Sequence, residues 1–285
     1  MIKGDPQGLL TSWNHSSTDF CQWQGVTCSP RHQRVTHLNL SSGGLIGTLS
    51  PSVGNLSFIR VIQLSHSSFS GEIPPEIGRL FRLRELHLRN NSFTGSIPDT
   101  ITNCSNLQLL SLGNNNLVGK IPDGIGSLSM LSFVSLYGNI LQGGVPPFIA
   151  NLTLLDTLSL SYCQLGGSFP NLFHRLTNLR RLSLAGNNLI GRIPIGTQIQ
   201  SFNESSFIGN KLCGAPLTND CVHVDKPDTT SDQKEDGGSH KVDWGLIISI
   251  ALGFIIGFWG IVVSLMLNRS WRITYFRLLR KLIKV

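Results

Sequence analysis

Apolar and polar positions alternate along most of this chain in a unit of fixed length. In the stretch LRELHLRNNSFTGSIPDTITNCSN the spine is Leu83, Leu86, Leu88, Asn91, Phe93, Gly95, Ile97, Pro98 and Ile101, and it returns 24 residues on and 24 residues back. One column of the repeat runs Gly43, Ser67, Asn91, Asn115, Asn139, Cys163, Asn187, and these residues number coils 1 to 7. A glycine column runs from Gly47 to Gly191 and a proline column from Pro74 to Pro194. Within L-x-L both leucines face one side of a short strand and the residues between them the other. Leu86 and Leu88 therefore point into a core, His87 and Arg89 out of it. An asparagine amide has two donors and an acceptor, so a stacked asparagine column can satisfy the backbone of its own turn and of the next. Gly43 and Ser67 suit that slot poorly, which predicts that the first two coils are the softest. One coil cannot bury its own apolar edge, and stacking closes a continuous core.

An L-x-x-L-x-L-x-x-N/C-x-L core at this period is the mark of a leucine-rich-repeat solenoid. The fold expected is an α/β repeat arc with a cap at each end, followed by one transmembrane helix. Its divisions are 1–34, an N-terminal cap; 35–200, seven repeats; 201–221, a C-terminal cap; 222–243, an acidic flexible stalk; 244–267, the membrane helix; and 268–285, a basic tail. Seven coils at strand spacing give an arc of roughly 30–35 Å. The opening MIKGDPQGLLTSWN lacks the pattern of a secretory leader. It places Leu9, Leu10 and Trp13 on the apolar side of a short capping helix. Cys21 and Cys28 form one expected disulfide around Trp23, two free thiols being the alternative. Cys213 and Cys221 form a second in the C-terminal cap, beyond the point where the period fails after Gln200. Cys104 takes a leucine column and Cys163 the asparagine column, so both are expected buried and unbonded to each other.

The net charge of +7 raises nucleic-acid binding, and the distribution excludes it. All sixteen acidic residues lie at or before Asp243, where they face seventeen basic ones; the other six basic residues, Arg269 to Lys284, follow the apolar run. Trp244 to Leu267 is uncharged over 24 residues, about 36 Å as a helix and enough to cross a hydrocarbon core of ~30 Å. The basic tail marks the inner side, leaving the repeats outside. Ser249, Gly253 and Gly257 recur at four-residue spacing and would let a partner helix approach closely. Sequons expected to carry glycans are Asn14, Asn55, Asn90, Asn103, Asn151 and Asn203; Asn39 is the poorest, being on the inner face.

No nucleophile and base share a repeat register, no Cys/His set has metal-ligand spacing, and neither a phosphate-cradling G-x-G-x-x-G nor an H-R-D motif is present. The expectation is no enzyme, no cofactor and no metal. A binding function would live on the inner face. Its exposed side chains include Arg60, His66, Arg84, Glu85, His87 and Arg89 in coils 2–3, Phe133, Tyr137 and Tyr162 in coils 5–6, and then Arg180 and Arg181. The ligand contacts expected are Arg84, His87, Arg89, Phe133, Tyr137 and Tyr162.

The LxxLxLxxNxFxGxIPxxI repeats, CQWQGVTC, the FxxSSFxGNxLCGxPL cap, and GFIIGFWG with NRSWR resemble plant leucine-rich-repeat receptor-like proteins, as a short or truncated member. The resemblance implies a kinase-less, single-pass type I glycoprotein of the plasma membrane. It would bind an extracellular peptide, protein or glycan and signal in defence or development through a membrane-bound receptor kinase. The alternatives are a decoy or adaptor that sequesters ligand or partner, and a non-functional gene fragment.

Overall fold

The structure is a computed structural model, and it describes residues 2–13, 19–195 and 198–221, all within one compact unit, Met1–His223. The predicted stalk, membrane helix and tail (222–285), with Ser249, Gly253 and Gly257, and the sequon at Asn14 lie outside the described residues. Among the described residues no helix is long and apolar enough to cross a membrane.

The L-x-L segments form the expected inner strands. Val35–Asn39, Val61–Gln63, Glu85–His87, Leu109–Ser111, Phe133–Ser135, Thr157–Ser159 and Arg181–Ser183 pair in parallel, coil against coil, without a slip of register. Val26–Cys28 adds an antiparallel strand at the N-terminal edge. A second, interrupted sheet runs along the flank: Ile46–Thr48, Ser68–Glu72 and Ser92–Thr94 are parallel, and Ile2–Gly4 pairs antiparallel with the first of them. Leu86, Leu110, Val134 and Leu158 face inward from the inner strands with no exposed area. They belong to one core that extends from Leu40 to Leu212.

The α/β expectation needs correction, because the outer side of coils 1 to 6 is a five-residue 3-10 helix: Pro51–Asn55, Pro75–Arg79, Asp99–Asn103, Asp123–Ser127, Pro147–Asn151 and Asn171–Arg175. There is no α-helix among the described residues. The reason is spacing. An α-helix with its side chains is about 10–12 Å across, whereas neighbouring strands stand ~4.8 Å apart. The outer layer has to be thin, and in coils 2 and 4 a glycine stands where the next coil comes closest. A Cβ on Gly78 would stand 2.3 Å from the carbonyl oxygen of Thr100, and one on Gly126 would stand 2.3 Å from that of Phe148.

The asparagine column behaves as expected. Asn115 Nδ2 donates to the carbonyls of Leu88 (3.0 Å) and Leu112 (2.9 Å), and its Oδ1 accepts from the amide of Phe93 (3.0 Å). Asn91, Asn139 and Asn187 repeat the pattern. At coil 1 the glycine has a purpose that spacing did not reveal: a Cβ on Gly43 would stand 2.6 Å from Leu9 Cδ2, so the cap's leucine closes over that slot. At coil 2 the Ser67 hydroxyl is buried without a partner.

Both caps differ from expectation in part. Leu9, Leu10 and Trp13 do pack on the core, but on successive turns and not a capping helix. Asp5 takes the amides of Leu9 (2.9 Å) and Leu10 (2.7 Å) on its carboxylate, which holds the chain in turns. Trp13 stacks on Trp23 at 4.9 Å. An apolar cavity of about 590 Å³ lies beneath them, lined by Trp13, Trp23, Leu49, Val53 and Phe69 among others. At the other end the period does not stop after Gln200. Asn210, 23 residues beyond Asn187 in sequence, donates to Leu184 and Phe207 and accepts from the Leu189 amide. Lys211–Cys213 pairs in parallel with Ile190–Arg192. The C-terminal cap is a shortened eighth coil. Disulfides Cys21–Cys28 and Cys213–Cys221 pin the two caps. Cys104 and Cys163 are free and buried, as expected.

Candidate functional site

The inner sheet sets side chains in columns that run from coil to coil. One column is His37, Val61, Glu85, Leu109, Phe133, Thr157, Arg181; two residues later comes Asn39, Gln63, His87, Ser111, Ser135, Ser159, Ser183. The second column changes character midway. Long polar side chains fill coils 1 to 3, and serines fill coils 4 to 7. Ser111 and Ser135 are 4% and 5% exposed, since larger neighbours stand on both sides of them. Leu109 and Phe133 flank them on one side and Tyr137 on the other, all half-buried. The four serine hydroxyls make no hydrogen bond among the described residues. The result is a groove along the inner face with a floor of hydroxyls, deepest at coils 4 and 5.

Three of the expected contact residues come together at the N-terminal end of this groove. Arg84 is exposed, and its guanidinium has no partner among the described residues. His87 Nε2 lies 3.0 Å from Glu85 Oε2. Arg89 donates to His66 Nε2 at 2.9 and 3.2 Å. His66 Nδ1 in turn lies 2.9 Å from the Asn90 side-chain amide. Asn114 Nδ2 reaches both Asn90 Oδ1 (2.9 Å) and the Tyr137 hydroxyl (3.3 Å). A polar ladder thus runs His66–Asn90–Asn114–Tyr137 along one rim. It engages both ends of the Asn90 amide, the group that a glycan would need.

Phe133 and Tyr137 are both on the inner face, where the sequence placed them, and lie on opposite sides of the floor. Tyr162 does not join them. It falls in the column of His66, Asn90 and Asn114, past the end of the strand, with a left-handed backbone (φ 53°). Its ring leans over Gly186, where a Cβ would stand 2.4 Å from it, while the Tyr137 ring leans over Gly113. The two rings point away from each other, and Tyr162 marks the rim, not the floor. The sequons Asn55, Asn103, Asn151 and Asn203 are exposed; the first three each end an outer 3-10 helix.

Two features escaped the sequence reading. The serine floor is one, although its signal, a recurring L-S-L or V-S-L, is visible at Leu110–Leu112 and Val134–Leu136. The other is a charge network in coils 6 and 7. Asp156 pairs with Arg181 at 2.9 Å and faces Arg180 at 3.7 Å, while Thr157 Oγ1 donates to Asp156 (2.8 Å) and accepts from Arg181 Nε (2.8 Å). The Thr157 hydroxyl first, then the two arginines, hold the Asp156 carboxyl below the usual carboxylate range. Beside it a pocket of about 290 Å³ is lined by Ser159, Arg180, Arg181, Ser183, Phe202 and Asn203, among others. No group of three or more metal-ligating side chains occurs among the described residues.

Comparison with known proteins follows the same lines. A family profile described as leucine-rich repeat region matches residues 38–193, and one described as leucine rich repeat N-terminal domain matches residues 1–29. The chain is 56% identical over 57 residues to the LRR receptor-like serine/threonine-protein kinase EFR of Arabidopsis thaliana, covering 20% of this chain and 5% of that protein. It is 41% identical over 88 residues to the receptor-like protein EIX2 of Solanum lycopersicum, covering 29% of this chain and 8% of that protein. The matches span less than a tenth of the length of either relative. Among solved structures it is similar to the Arabidopsis receptor kinase HAESA in complex with the peptide hormone IDA and the co-receptor SERK1. The TM-score is 0.55 at 29% identity, over 67% of this chain and 37% of that one.

Proposed function

This chain belongs to the leucine-rich-repeat family as a plant receptor-like protein, and from that premise we propose that it is a non-enzymatic cell-surface receptor that captures an extracellular peptide in the inner groove. The observation that carries the reading is the floor itself. Ser111 and Ser135 are deeply set hydroxyls that the fold does not use. Their hydroxyls face the groove with no partner among the described residues, and the main chain of a bound peptide offers them both donors and acceptors. The flanking Leu109, Phe133 and Tyr137 supply apolar contact. The peptide hormone in the HAESA complex supports a ligand of that class.

In this reading residues 244–267 cross the plasma membrane once, the repeats lie outside with glycans on Asn55, Asn103, Asn151 and Asn203, and the signal passes to a membrane-bound receptor kinase. Ser249, Gly253 and Gly257 form the face on which the kinase's own membrane helix packs. The signal belongs to defence or development.

The test uses the full-length chain in detergent micelles and a synthetic library of short peptides. Ser135→Trp fills the groove at its deepest point, and Thr94→Trp places the same bulk on the flank. Capture of library peptides by the wild type and by Thr94→Trp, but not by Ser135→Trp, is the expected outcome. Equal capture by all three removes the groove from consideration. Co-precipitation of a receptor kinase from membranes, lost with Gly253→Leu and Gly257→Leu together, checks the signalling half independently.

A further inference from the structure

The two ends of the groove differ in charge, and the difference specifies what kind of peptide fits. At coils 6–7 the two arginines already share a carboxylate, Asp156. At coils 2–3 the cations are uncompensated. Arg60 and Arg84 occupy the same column on adjacent coils, joined by the bond from the Arg84 amide to the Arg60 carbonyl (2.7 Å). Neither guanidinium has a partner among the described residues. Arg89 donates only to an imidazole, that of His66. The one nearby acid, Glu85, is taken up by His87. Two residues before Arg60, the Phe58 ring carries the guanidinium of Arg34 (4.9 Å) and that of Arg82 (4.3 Å), which adds two more cations to the same edge. A carboxylate bridging Arg60 and Arg84 would form paired, charge-assisted hydrogen bonds with both.

We propose that the ligand is an extended peptide whose seated segment is about six residues long, with small side chains over the floor and an acidic residue at the end lying on Arg60 and Arg84. The inference rests on the reading of the groove as the peptide site. Length follows from geometry. Coil 3 to coil 7 is four steps of ~4.8 Å, or about 19 Å, and an extended chain covers ~3.3–3.6 Å per residue. Side-chain size follows from the serines. For their hydroxyls to bond the main chain, which offers both donors and acceptors, the peptide must lie directly on the floor, and a large side chain facing it would lift it away. Charge follows from the unpaired arginines, and it fixes which way the peptide lies.

The experiment is fluorescence anisotropy on the full-length chain in detergent, with fluorescein-labelled hexapeptides built from glycine, serine and alanine. Each carries Asp, Asn or Arg at its first or last position. The Asp peptide of one polarity is expected to bind at least about tenfold more tightly than its Asn counterpart, and the Arg peptide more weakly than either. In Arg60→Gln with Arg84→Gln the Asp and Asn peptides should bind alike. Ser135→Trp should abolish all binding. If Ser135→Trp abolishes binding but Asp carries no advantage, or its advantage survives the double variant, the acidic assignment is overturned and the groove stands. If binding is indifferent to Ser135→Trp, the groove reading itself falls, and this proposal with it. Failure of every hexapeptide to bind, or binding of an oligogalacturonate in place of the Asp peptide, also overturns the proposal. Unchanged thermal unfolding of the variants shows that they are folded.

Discussion

Asn139 and Asn187 occupy the same slot two coils apart, and the structure predicts that replacing them with alanine costs different amounts. Asn139 donates to the carbonyls of Leu112 (3.1 Å) and Leu136 (2.8 Å) and accepts from the amide of Leu117 (3.0 Å). Both carbonyls have a second partner, Asn115 Nδ2 for Leu112 and the Cys163 thiol for Leu136. Only the Leu117 amide loses the side-chain acceptor that serves it. One buried unsatisfied donor costs about 1–3 kcal/mol and each of the two lost net hydrogen bonds about 0.5–1.5 kcal/mol, so Asn139→Ala should cost roughly 2–6 kcal/mol. Asn187 has less redundancy. It accepts from both Cys163 and Leu165 amides, and it alone donates a side-chain bond to the Leu160 carbonyl. Cys163, one coil earlier, bonds Leu136 and Ser161 instead. Three groups are stranded where Asn139→Ala strands one, which adds about 2 kcal/mol or more. The assay is urea unfolding followed by far-ultraviolet circular dichroism. With a slope near 2 kcal/mol/M, Asn187→Ala should have its midpoint about 1 M below that of Asn139→Ala. Equal midpoints, or the reverse order, would refute the claim that the thiol at coil 6 leaves its neighbour without support.

Val53 stands in the column that holds Ile77, Ile101, Ile125 and Ile149, and it lines the cavity under the N-terminal cap. Val53→Ile should raise stability by about 0.8 kcal/mol, the worth of one buried methylene, and a loss in chemical denaturation would show the space to be unusable. Burial pushes the Cys104 thiol up to about 12 and that of Cys163 to about 11. Iodoacetamide near neutral pH should therefore label neither in the folded chain and both in urea, as mass spectrometry would show; native-state labelling would contradict their burial. Asp156 has a lowered folded pKa, so its stabilising contribution is present above the ordinary carboxylate range and is lost as pH falls through the folded value. In thermal unfolding across pH, the advantage of wild type over Asp156→Asn should be constant near neutrality and disappear in strong acid. A gap that widens on acidification would reverse the sign of the argument.

What could be read from the chain beforehand was whatever a side chain does by repeating. The leucines, the asparagines and the outward His87 and Arg89 each follow from period and alternation, and the caps announce themselves through paired cysteines. What could not be read depended on how closely two backbones approach. The outer layer is 3-10 helix, and in it Gly78 and Gly126 sit where a Cβ would meet the next coil's carbonyl, a distance invisible in a linear pattern. Gly43 looks like a weak ladder residue until Leu9 is seen above it. Asn210 comes one residue early for the period, and only its bonds to Leu184 and Phe207 identify it as the next rung. Tyr162 lies beyond its strand, in a left-handed turn where alternation no longer says which way a side chain points.

The groove was hidden for a different reason. A lone serine between two leucines is ordinary, and Ser111 becomes a floor residue only because Leu109, Phe133 and Tyr137 rise around it. Depth is thus a property of three columns, set by residues on neighbouring coils. The same arrangement separates recognition from stability. Floor serines alternate with Leu110, Val134, Leu158 and Leu182, which face the core. Since each coil rests only on its neighbours, a change of floor, wall or end charge can alter what is held without disturbing what holds the coils together. The Arg60–Arg84 pair illustrates the point. It lies outside the core and has no partner among the described residues, so replacing it tests recognition without touching the packing that holds the coils together.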